Sequence, residues 1–558
     1  MICGQRKRRP RLSTTSAEAS SADHHCDVLV VGGGINGVGI ARDLAGRGWN
    51  VVLCEQDDLA SHTSSASTKL IHGGLRYLEY GEFSLVRKAL AERELLLRSA
   101  PHIMWPLRFV LPHDASMRPA WMIRIGLWLY DNLAVREFLP GSGTVNLKGD
   151  PLGAPLNAKW TKAFVYSDGW VDDARLVTLC AMDAAERGAM ILPRTRCDKL
   201  QPMPGGWLAE LVRQDALTGE ATHTIRVRAK AVVNAAGPWA EQLLRQTMNV
   251  QPRAAGGKQR DAASGAHLRL VKGSHIVVPR IFNHDHAYIF QGEDRRIIFA
   301  IPYERNFTLI GTTDVEHKQA PGAVSIDPEE VMYLCQHASR YFRQPVQPGD
   351  VVWQFAGVRP LLDDAKGKAS AVTRDYRLEA HAHPSPWLTV WGGKLTTFRL
   401  LSEEASDMVG RQLGELRHRW TADAVLPGGQ LTDLIDEAVH PELDMTEFQS
   451  RLRRRHPWLD LALMRRWTRA YGSRVLRMLD GVTSRTDLGA EVAPDLYEVE
   501  LFYLKRHEWA QTADDILWRR SKLGLHYTPA QRQAVVDWVQ AQADSGRTLG
   551  FHHSGMSR

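Results

Sequence analysis

Three glycines and one glutamate carry the first chemical signal in this sequence. Gly32, Gly34 and Gly37 have the spacing G-x-G-x-x-G, and they lie between the apolar run at 27–31 and a helical pattern. Glu55 ends the next apolar run. Such a turn lets a pyrophosphate approach the N–H groups at the start of a helix, and the carboxylate accepts hydrogen bonds from a ribose. The spacing therefore predicts a β-α-β unit that binds a dinucleotide.

The motif alone does not distinguish FAD from NAD. Two further features favour a single bound FAD. The segment at 233–239 resembles the strand that returns to the flavin in FAD oxidoreductases. No second G-x-G-x-x-G follows an apolar run, so the sequence shows no separate nicotinamide domain.

A polar segment at 61–77 follows the motif and offers more groups to a cofactor. Its hydroxyl groups suit phosphate and ribityl contacts, and Gly73 with Gly74 lets the backbone pass close to a flat ring. Arg76 and Tyr77 come directly after these glycines. From composition alone, the segment is equally compatible with a flexible polar turn.

The composition excludes several classes of protein. The 558 residues are 44% hydrophobic and 24% charged, which is ordinary for a globular protein and unlike a disordered chain or a collagen. The net charge of +7 is concentrated in residues 1–20, which hold five basic residues against Glu18, so no nucleic-acid partner is expected. The six cysteines form no C-x-x-C pair and indicate free thiols in a reducing compartment. No metal site is expected.

The patterns along the chain predict a mixed fold: a Rossmann-type α/β domain for FAD, an inserted antiparallel sheet (α+β) for the substrate, and a C-terminal helical domain. Residues 1–25 are interpreted as a disordered basic tail, with an organellar transit peptide as the less favoured alternative. The predicted boundaries are FAD-binding segments at 26–100, 166–240 and 352–412, a cap at 101–165, a substrate sheet at 241–351, helices at 413–545 and a tail at 546–558.

Seven strings in this sequence resemble one family. They are GGGINGVGIARDLAGRG (32–48), TSSASTKLIHGGLRYLE (63–79), YSDGWVDDARLV (166–177), VKGSHIVVP (271–279), IGTTDVE (310–316), GVRPL (357–361) and GGKLTTFR (392–399). Together they resemble FAD-dependent glycerol-3-phosphate dehydrogenases of the respiratory bacterial type, over roughly residues 26–545. The tail and the loop at 251–266 fall outside the resemblance, and Thr68 stands where a serine is more usual.

The resemblance implies oxidation of sn-glycerol 3-phosphate to dihydroxyacetone phosphate, with a hydride passing from C2 to FAD and electrons continuing to a membrane quinone. The implied catalytic residues are His275, Arg359, Arg76 and Lys394. The implied substrate-binding residues are Arg76, Tyr77, Lys272, His275, Arg359, Arg374 and Lys394. The FAD contacts predicted from the motifs and the resemblance are Gly32, Gly34, Ile35, Asn36, Gly37, Glu55, Thr63, Ser64, Ser65, Lys69, Leu70, His72, Gly73, Gly74, Ala236, Gly237, Gly393, Lys394, Leu395 and Thr396.

The residue chemistry agrees with a phosphate substrate, but it leaves alternatives open. Arginine forks suit phosphate oxygens, and an imidazole suits a base for a hydroxyl group. His275 could instead be a core histidine, since Ile-Val-Val follows it, and Lys394 could contact flavin instead of substrate. An oxidase that uses O₂ is the first alternative function. A non-catalytic flavin-binding adaptor for membrane or nucleic acid is the second.

The resemblance also implies a cytoplasmic protein bound peripherally to the inner face of the cell membrane, as a homodimer. The sequence offers one candidate for such a contact, because Trp121, Ile125 and Trp128 recur at helical spacing beside Arg118 and Arg124. Packing of this face inside the protein or at a dimer contact is the favoured interpretation from the sequence alone.

Overall fold

The computed structural model describes residues 23–114, 117–248, 268–292, 294, 296–362 and 375–544. Its strands are β1 (Asp23–Val31), β2 (Val51–Cys54), β3 (Leu70–Ile71), β4 (Met104–His113), β5 (Gly143–Asn146), β6 (Lys162–Val171), β7 (Met190–Leu192), β8 (Thr195–Met203), β9 (Gly206–Gln214), β10 (Ala221–Asn234), β11 (Leu268–Pro279), β12 (Ala287–Gln291), β13 (Ile297–Tyr303), β14 (Phe307–Gly311), β15 (Val315–Glu316), β16 (Trp353–Leu362), β17 (Arg377–His381), β18 (Trp387–Trp391), β19 (Glu491–Ala493) and β20 (Leu496–Tyr497). Its α-helices are α1 (Ile35–Gly46), α2 (Phe83–Ser99), α3 (Ala120–Asn132), α4 (Asp173–Glu186), α5 (Ala240–Met248), α6 (Pro328–Ser339), α7 (Phe398–Gln412), α8 (Pro441–Arg455), α9 (Leu461–Tyr471), α10 (Val475–Met478), α11 (Glu498–Glu508) and α12 (Pro529–Asp544).

The first sheet has the order β17-β18-β10-β1-β2-β7, and an antiparallel extension of β8 and β9 pairs with β10. Strand β1 runs parallel to both β10 and β2, so that Val28 faces Ala231 on one side and Val51 on the other. Such a strand is buried on both faces, which explains its continuous apolar run. Helix α1 packs between α4 and α7 on one face of this sheet. This is the predicted Rossmann-type unit.

The second sheet has the order β15-β11-β14-β13-β12-β4-β6-β3. Strand β16 is added at β11 and β5 at β6. Its pairs are antiparallel except for β12 with β4. The predicted antiparallel sheet is therefore present, and helix α6 packs against it through Leu334 and Ala338.

The second sheet includes strands from outside the segment at 241–351 that was predicted to form it. Strands β3, β6 and β16 belong to it, although the predicted segments place Leu70–Ile71, most of Lys162–Val171 and Trp353–Leu362 in the FAD domain. For β16 the reason is a long non-local pairing, because ten of its residues form a ladder with β11. A further correction is that β1 begins at Asp23 and so includes the last three residues of the predicted tail. The face of α3 that carries Trp121, Ile125 and Trp128 is exposed, so it does not pack inside the chain.

The C-terminal part is helical, as predicted, with one short hairpin of β19 and β20. Buried ion pairs connect it to the first sheet's helices and loops. Arg175 on α4 pairs with Glu508 at the end of α11, and Arg520 pairs with Asp58. Within the described residues, no helix combines the length and apolar character needed to cross a membrane.

Candidate active site

Two neighbouring cavities of about 330 Å³ and 300 Å³ begin at the glycine motif of the first sheet. They share one wall, formed by Gly34, Thr63, Ser64, Ala235, Gly237 and Pro238. The first cavity continues to Glu55 and the second to His275 and Arg359. Together they form one extended site from the glycine motif to the second sheet.

The glycine motif is shaped by close approach of backbone to backbone. Gly32 has a φ of +116°, and a Cβ there would lie 2.5 Å from the carbonyl oxygen of Ala235. A Cβ on Gly37 would lie 1.9 Å from the carbonyl oxygen of Gly32. Gly34 differs, because among the described residues the only neighbour that its Cβ would meet is Ser64 Oγ at 3.1 Å. The space beside Gly34 is thus the part of the motif that is open to a ligand.

Glu55 closes the first cavity and is held in place by the backbone. Its Oε2 accepts a 2.6 Å hydrogen bond from the N–H of Gly33, and its Oε1 accepts a 2.9 Å bond from the N–H of Asp57. Burial raises the pKa of this carboxyl group, and the two backbone donors oppose that shift. The carboxyl group is therefore fixed at the cavity wall, where a ribose hydroxyl group can reach it.

The start of α1 and the loop before α7 contact each other in the wall of the second cavity. Asn36 Nδ2 donates to the carbonyl oxygen of Gly392 at 3.1 Å, and a Cβ on Gly393 would lie 2.5 Å from the same Nδ2 atom. Asn36 Oδ1 is buried with no hydrogen-bond partner among the described residues. An orphaned acceptor on the cavity wall, beside a backbone that permits close approach, fits a planar ligand that carries N–H groups.

Fifteen of the predicted cofactor residues line the two cavities: Gly32, Gly34, Ile35, Asn36, Glu55, Thr63, Ser64, Leu70, His72, Ala236, Gly237, Gly393, Lys394, Leu395 and Thr396. Gly37, Ser65, Lys69, Gly73 and Gly74 are not on these walls.

Each of the five has a local role. The Lys69 ammonium group pairs with buried Asp173 at 2.7 Å, and the Ser65 hydroxyl group donates to the carbonyl oxygen of His62. The N–H of Gly73 donates to the hydroxyl oxygen of Tyr130 at 2.8 Å. Gly74 has a φ of +75° and lies under the ring of Tyr77. Gly37 permits the tight turn described above.

His275 lies on β11, in the wall of the second cavity, and is 1% exposed. Its Nε2 lies 3.0 Å from the hydroxyl oxygen of Thr68, and its ring stacks on Phe355 with centroids 4.8 Å apart. Nδ1 has no partner among the described residues. Burial, with help from the charges of Arg359 and Lys69, holds the pKa of His275 well below its usual range. The imidazole is therefore neutral near pH 7 and able to accept a proton.

Arg359 on β16 lines the same cavity, and residues in the segment after β14 orient its side chain. Its Nη1 lies 2.6 Å from Asp314 Oδ1, and its Nη2 donates to Thr312 Oγ1 at 2.9 Å. The side chain is 29% exposed and lines the cavity. A guanidinium group that is oriented in this way suits an anionic ligand.

Lys394 and Tyr77 form a second polar edge of this cavity. The Lys394 ammonium nitrogen lies 4.1 Å from the centroid of the Tyr77 ring, in a cation–π arrangement. Both residues line the cavity. Arg359 and Lys394 line the same cavity, and two cationic side chains suit a phosphate dianion.

Two predicted substrate residues, Lys272 and Arg76, do not line the cavities in the described structure. Lys272 faces the other side of the sheet, where its ammonium group pairs with Asp327 at 2.5 Å and Glu330 at 2.8 Å. Strand alternation explains this correction, since positions 272 and 275 point to opposite faces. Arg76 donates to the hydroxyl oxygen of Tyr80 and does not line the cavity. Arg374 lies outside the described residues.

Sequence reasoning missed the residues that orient His275 and Arg359. Thr68 and Phe355 contact the imidazole, while Thr312 and Asp314 hold the guanidinium group. Thr312 and Asp314 belong to the string IGTTDVE and Thr68 to the string TSSASTKLIHGGLRYLE, so these strings contained a signal. Phe355 gave none, because nothing local in the sequence pairs β16 with β11.

The fold and the extended cavity define an oxidoreductase that binds a dinucleotide along a Rossmann-type sheet and closes its reactive end with a second sheet. Residues 27–399 match the family of FAD dependent oxidoreductases, and residues 420–545 match the C-terminal domain of alpha-glycerophosphate oxidase. Among curated relatives, the glycerol-3-phosphate dehydrogenase of Pseudomonas aeruginosa is 50% identical over 518 residues, covering 92% of this chain and 95% of the relative. The aerobic glycerol-3-phosphate dehydrogenase of Escherichia coli is 44% identical, over 92% of this chain and 97% of the relative.

A solved structure gives the same result for the fold. The glycerol-3-phosphate dehydrogenase from Bacillus halodurans, complexed with FAD, has a TM-score of 0.70 and 27% identity, and the match covers 93% of this chain and 91% of that chain. A third curated relative, the D-erythritol 1-phosphate dehydrogenase of Brucella abortus, is 47% identical over 92% of this chain and 97% of the relative. The chain belongs to the FAD-dependent oxidoreductase family, in the group that contains the glycerol-3-phosphate dehydrogenases, and its cofactor is FAD.

Proposed function

We propose that this enzyme oxidises sn-glycerol 3-phosphate to dihydroxyacetone phosphate and passes the electrons to a membrane quinone. The observation that supports this most directly is the second cavity, where Arg359, Lys394 and buried His275 face one space beside the Gly392–Gly393 turn. A small phosphate ester with a secondary alcohol needs two fixed cations and one neutral base, and this cavity contains that set.

The first role of the protein is to bind and orient the phosphate. Arg359 offers its guanidinium fork, already aligned by Thr312 and Asp314, and Lys394 offers a compact positive charge held over Tyr77. Both residues line the same cavity and would anchor the phosphate end of the substrate there. The C2 carbon is thereby held at one distance from the cofactor wall, and this pre-organisation lowers the entropic cost of the reaction.

The second role is to take the proton of the C2 hydroxyl group. His275 is neutral because burial and neighbouring cations depress its pKa, so one imidazole nitrogen is free to accept that proton. Thr68 and Phe355 fix the plane of the ring. FAD, when bound, supplies the hydride acceptor. Asn36, Gly392, Gly393 and Thr396 would hold its ring system, while Gly34, Ser64 and Glu55 would hold the pyrophosphate and ribose.

The direct test is anaerobic reduction of the purified holoenzyme. Addition of sn-glycerol 3-phosphate should bleach the flavin absorption promptly, because the substrate alone then supplies the electrons. A yellow protein that stays oxidised with this substrate would reject the proposed activity and retain the fold. The His275→Asn variant should bind FAD normally and be bleached roughly 100 to 10,000 times more slowly.

A longer polyol phosphate is the second candidate substrate, favoured by the 47% identity to the D-erythritol 1-phosphate dehydrogenase. Both substrates share a phosphate and a neighbouring secondary alcohol, so the two cations and His275 serve either one. The ratio of kcat/KM for D-erythritol 1-phosphate and sn-glycerol 3-phosphate decides between them. A ratio above one would reassign the substrate and leave the mechanism unchanged.

The proposed acceptor is a quinone, reached by a homodimer that binds peripherally to the inner face of the cell membrane. This part is supported by the family resemblance of the sequence motifs. Turnover with a quinone analogue and without peroxide would support it, whereas stoichiometric peroxide in air would identify an O₂-using oxidase instead. Light scattering of the purified holoenzyme in detergent measures the oligomeric state.

A further inference from the structure

Two cysteines meet in the wall of the first cavity. Cys54 ends β2, Cys197 lies on β8, and both line this cavity. Cys54 is 1% exposed, and Cys197 packs against the buried apolar cluster that contains it. A hydrogen bond with the thiol of Cys197, together with burial, holds the pKa of the Cys54 thiol well above its ordinary value. The two thiols are therefore in direct contact at the cofactor site.

The backbone brings the two strands together beside this pair. The N–H of Thr195 donates to the carbonyl oxygen of Glu55 at 2.6 Å. The residue after Cys54 is thus bonded to the residue two positions before Cys197. The pairing of β8 with β9 shifts between Cys197 and Lys199, and such a bulge changes the direction of a side chain. The contact between the thiols is therefore built into the main-chain pairing at the end of β2.

The two thiols differ in their access to solvent. Cys197 is partly exposed, whereas Cys54 is buried. An oxidant therefore meets Cys197 first, and a second thiol in contact with the oxidised sulfur is placed to form a disulfide. A metal site is the weaker interpretation of this pair. The one group of three possible ligand side chains among the described residues is Glu55, Asp57 and His62, and it includes neither cysteine.

We propose that Cys54 and Cys197 form a reversible disulfide in the presence of a hydroperoxide, and that this disulfide weakens the binding of FAD. First, the Cys197 sulfur attacks one oxygen of hydrogen peroxide. The O–O bond breaks, the thiol proton leaves with the other oxygen as water, and Cys197 becomes a sulfenic acid. The Cys54 sulfur then attacks the Cys197 sulfur, the S–O bond breaks, and the hydroxyl group leaves as water with the Cys54 proton. The two thiols lose two electrons, and the peroxide is reduced to water.

The effect on FAD follows from the position of Cys54 directly before Glu55. The Glu55 carboxyl group is held at the cavity wall by the N–H groups of Gly33 and Asp57, so its place depends on the end of β2. A disulfide bond is only about 2 Å long, which is shorter than any hydrogen-bond contact between two thiols. Its formation therefore draws the end of β2 toward β8. The cavity narrows there, and Glu55 is displaced from the place where it would hold the ribose.

Thermodynamic linkage makes the effect reciprocal. If the disulfide weakens FAD binding about tenfold, bound FAD favours the dithiol form by the same factor. For a two-electron couple, a factor of ten corresponds to about 30 mV. Bound FAD should therefore raise the reduction potential of the cysteine pair by about 30 mV, and the FAD-loaded protein should be harder to oxidise. This inference requires FAD but no particular substrate or electron acceptor.

The test treats the full-length holoenzyme with hydrogen peroxide and maps its thiols by mass spectrometry. The expected product is a linked pair of peptides that contain Cys54 and Cys197, and dithiothreitol should separate them. In the same samples, ultrafiltration should show a Kd for FAD that is roughly tenfold higher after oxidation and returns to its starting value after reduction. Thiols that both stay reduced, or an oxidised Cys197 without a link to Cys54, would overturn the pair. A disulfide that leaves the Kd unchanged would overturn its coupling to FAD.

Three variants separate this pair from general oxidative damage. Cys197→Ser should keep its FAD after peroxide treatment, and Cys54→Ser should stop at a sulfenic acid on Cys197, which dimedone detects. The matched control Cys335→Ser changes a buried cysteine on α6 that lines neither cavity, so it should respond to peroxide as the wild type does. Loss of FAD from peroxide-treated Cys197→Ser would assign the effect to other residues and refute the proposal.

A redox titration measures the coupling on the wild-type protein alone. Glutathione buffers of stepped composition give the reduction potential of the pair with saturating FAD and after FAD depletion. An increase of about 30 mV with FAD is expected, and equal potentials would contradict the coupling. Every readout is a thiol state or the occupancy of the FAD site. The outcome therefore stands even if sn-glycerol 3-phosphate fails to reduce the flavin.

Discussion

The hydroxyl oxygen of Thr68 lies 3.0 Å from Nε2 of His275, and this contact joins the polar segment after β2 to strand β11 of the second sheet. It is the one hydrogen bond that the imidazole makes within the described residues, since Nδ1 has no partner there. The orientation of the proposed base thus depends on a residue 207 positions away in the chain.

Thr68→Val should therefore slow substrate-driven flavin reduction by about tenfold and leave KM near its wild-type value, because the ring loses its orientation while both cations remain. Thr68→Ser restores the hydroxyl group and should restore the rate. The measurement is stopped-flow bleaching of the flavin at saturating substrate. If Thr68→Val reduces flavin at the wild-type rate, or if the serine variant fails to recover it, the contact has no role in positioning His275.

Arg359 and Lys272 lie on neighbouring strands and provide a matched pair. Arg359→Ala should raise KM roughly 10- to 100-fold with FAD still bound, because a charged hydrogen bond to the substrate phosphate is lost. Lys272→Gln should leave KM unchanged, since its ammonium group points to the other face of the sheet and pairs with Asp327 and Glu330. It should lower the melting temperature instead. Steady-state kinetics and thermal unfolding of the two variants measure both effects, and an unchanged KM for Arg359→Ala would remove this residue from the substrate site.

Much of the cofactor half of the site was predictable from the sequence, for a physical reason. The glycine motif and Glu55 act through contacts made within a single β-α-β unit, so their spacing along the chain determines their spacing in the structure. Gly34 and Glu55 line the cavity as the motif implies.

The substrate half depends on contacts between distant strands, and there the sequence was less informative. Lys272 and His275 were both assigned to the substrate. They are three positions apart on one strand, so their side chains point to opposite faces of the sheet, and this alternation was a signal that the assignment did not use. The membership of β16 in the second sheet rests on its ladder with β11, and the sequence contains no local mark of that pairing. Ser65 and Lys69 sit in a polar segment without periodicity, where composition cannot tell a ligand contact from an internal ion pair.

Gly34 and Gly37 should respond differently to the same substitution. Gly34→Val places its side chain in the open space at the cavity wall, so the protein should fold but purify without flavin. Gly37→Val forces a Cβ against the carbonyl oxygen of Gly32 and should prevent folding of the first sheet. Flavin absorption per mole of protein and circular dichroism report the two outcomes. A yellow Gly34→Val protein would contradict the assignment of this position to the pyrophosphate.

His102 predicts a specific dependence of stability on pH. Burial, assisted by Arg175, Arg469 and Arg474, lowers the pKa of His102 to about 3. The unfolded chain binds a proton at this residue below about pH 6.5, and the folded protein does not, so protonation favours unfolding. The contribution of neutral His102 to the free energy of unfolding is complete above about pH 6.5. It should fall by about 1.4 kcal/mol per pH unit as the solution is acidified toward pH 3.

The His102→Leu variant isolates this effect. Neither ring nitrogen of His102 has a hydrogen-bond partner in the described structure, and leucine has no group to titrate. Urea unfolding of the holoenzyme at several pH values gives the free energy of unfolding as a function of pH. Between about pH 6.5 and pH 5, the slope of this curve should be lower for His102→Leu than for the wild type by about 1.4 kcal/mol per pH unit. Above about pH 7 the two proteins should show parallel curves, which controls for packing changes. Equal slopes at acidic pH would mean that His102 takes up its proton in the folded protein, and the burial of a neutral imidazole would then be the wrong description of this residue.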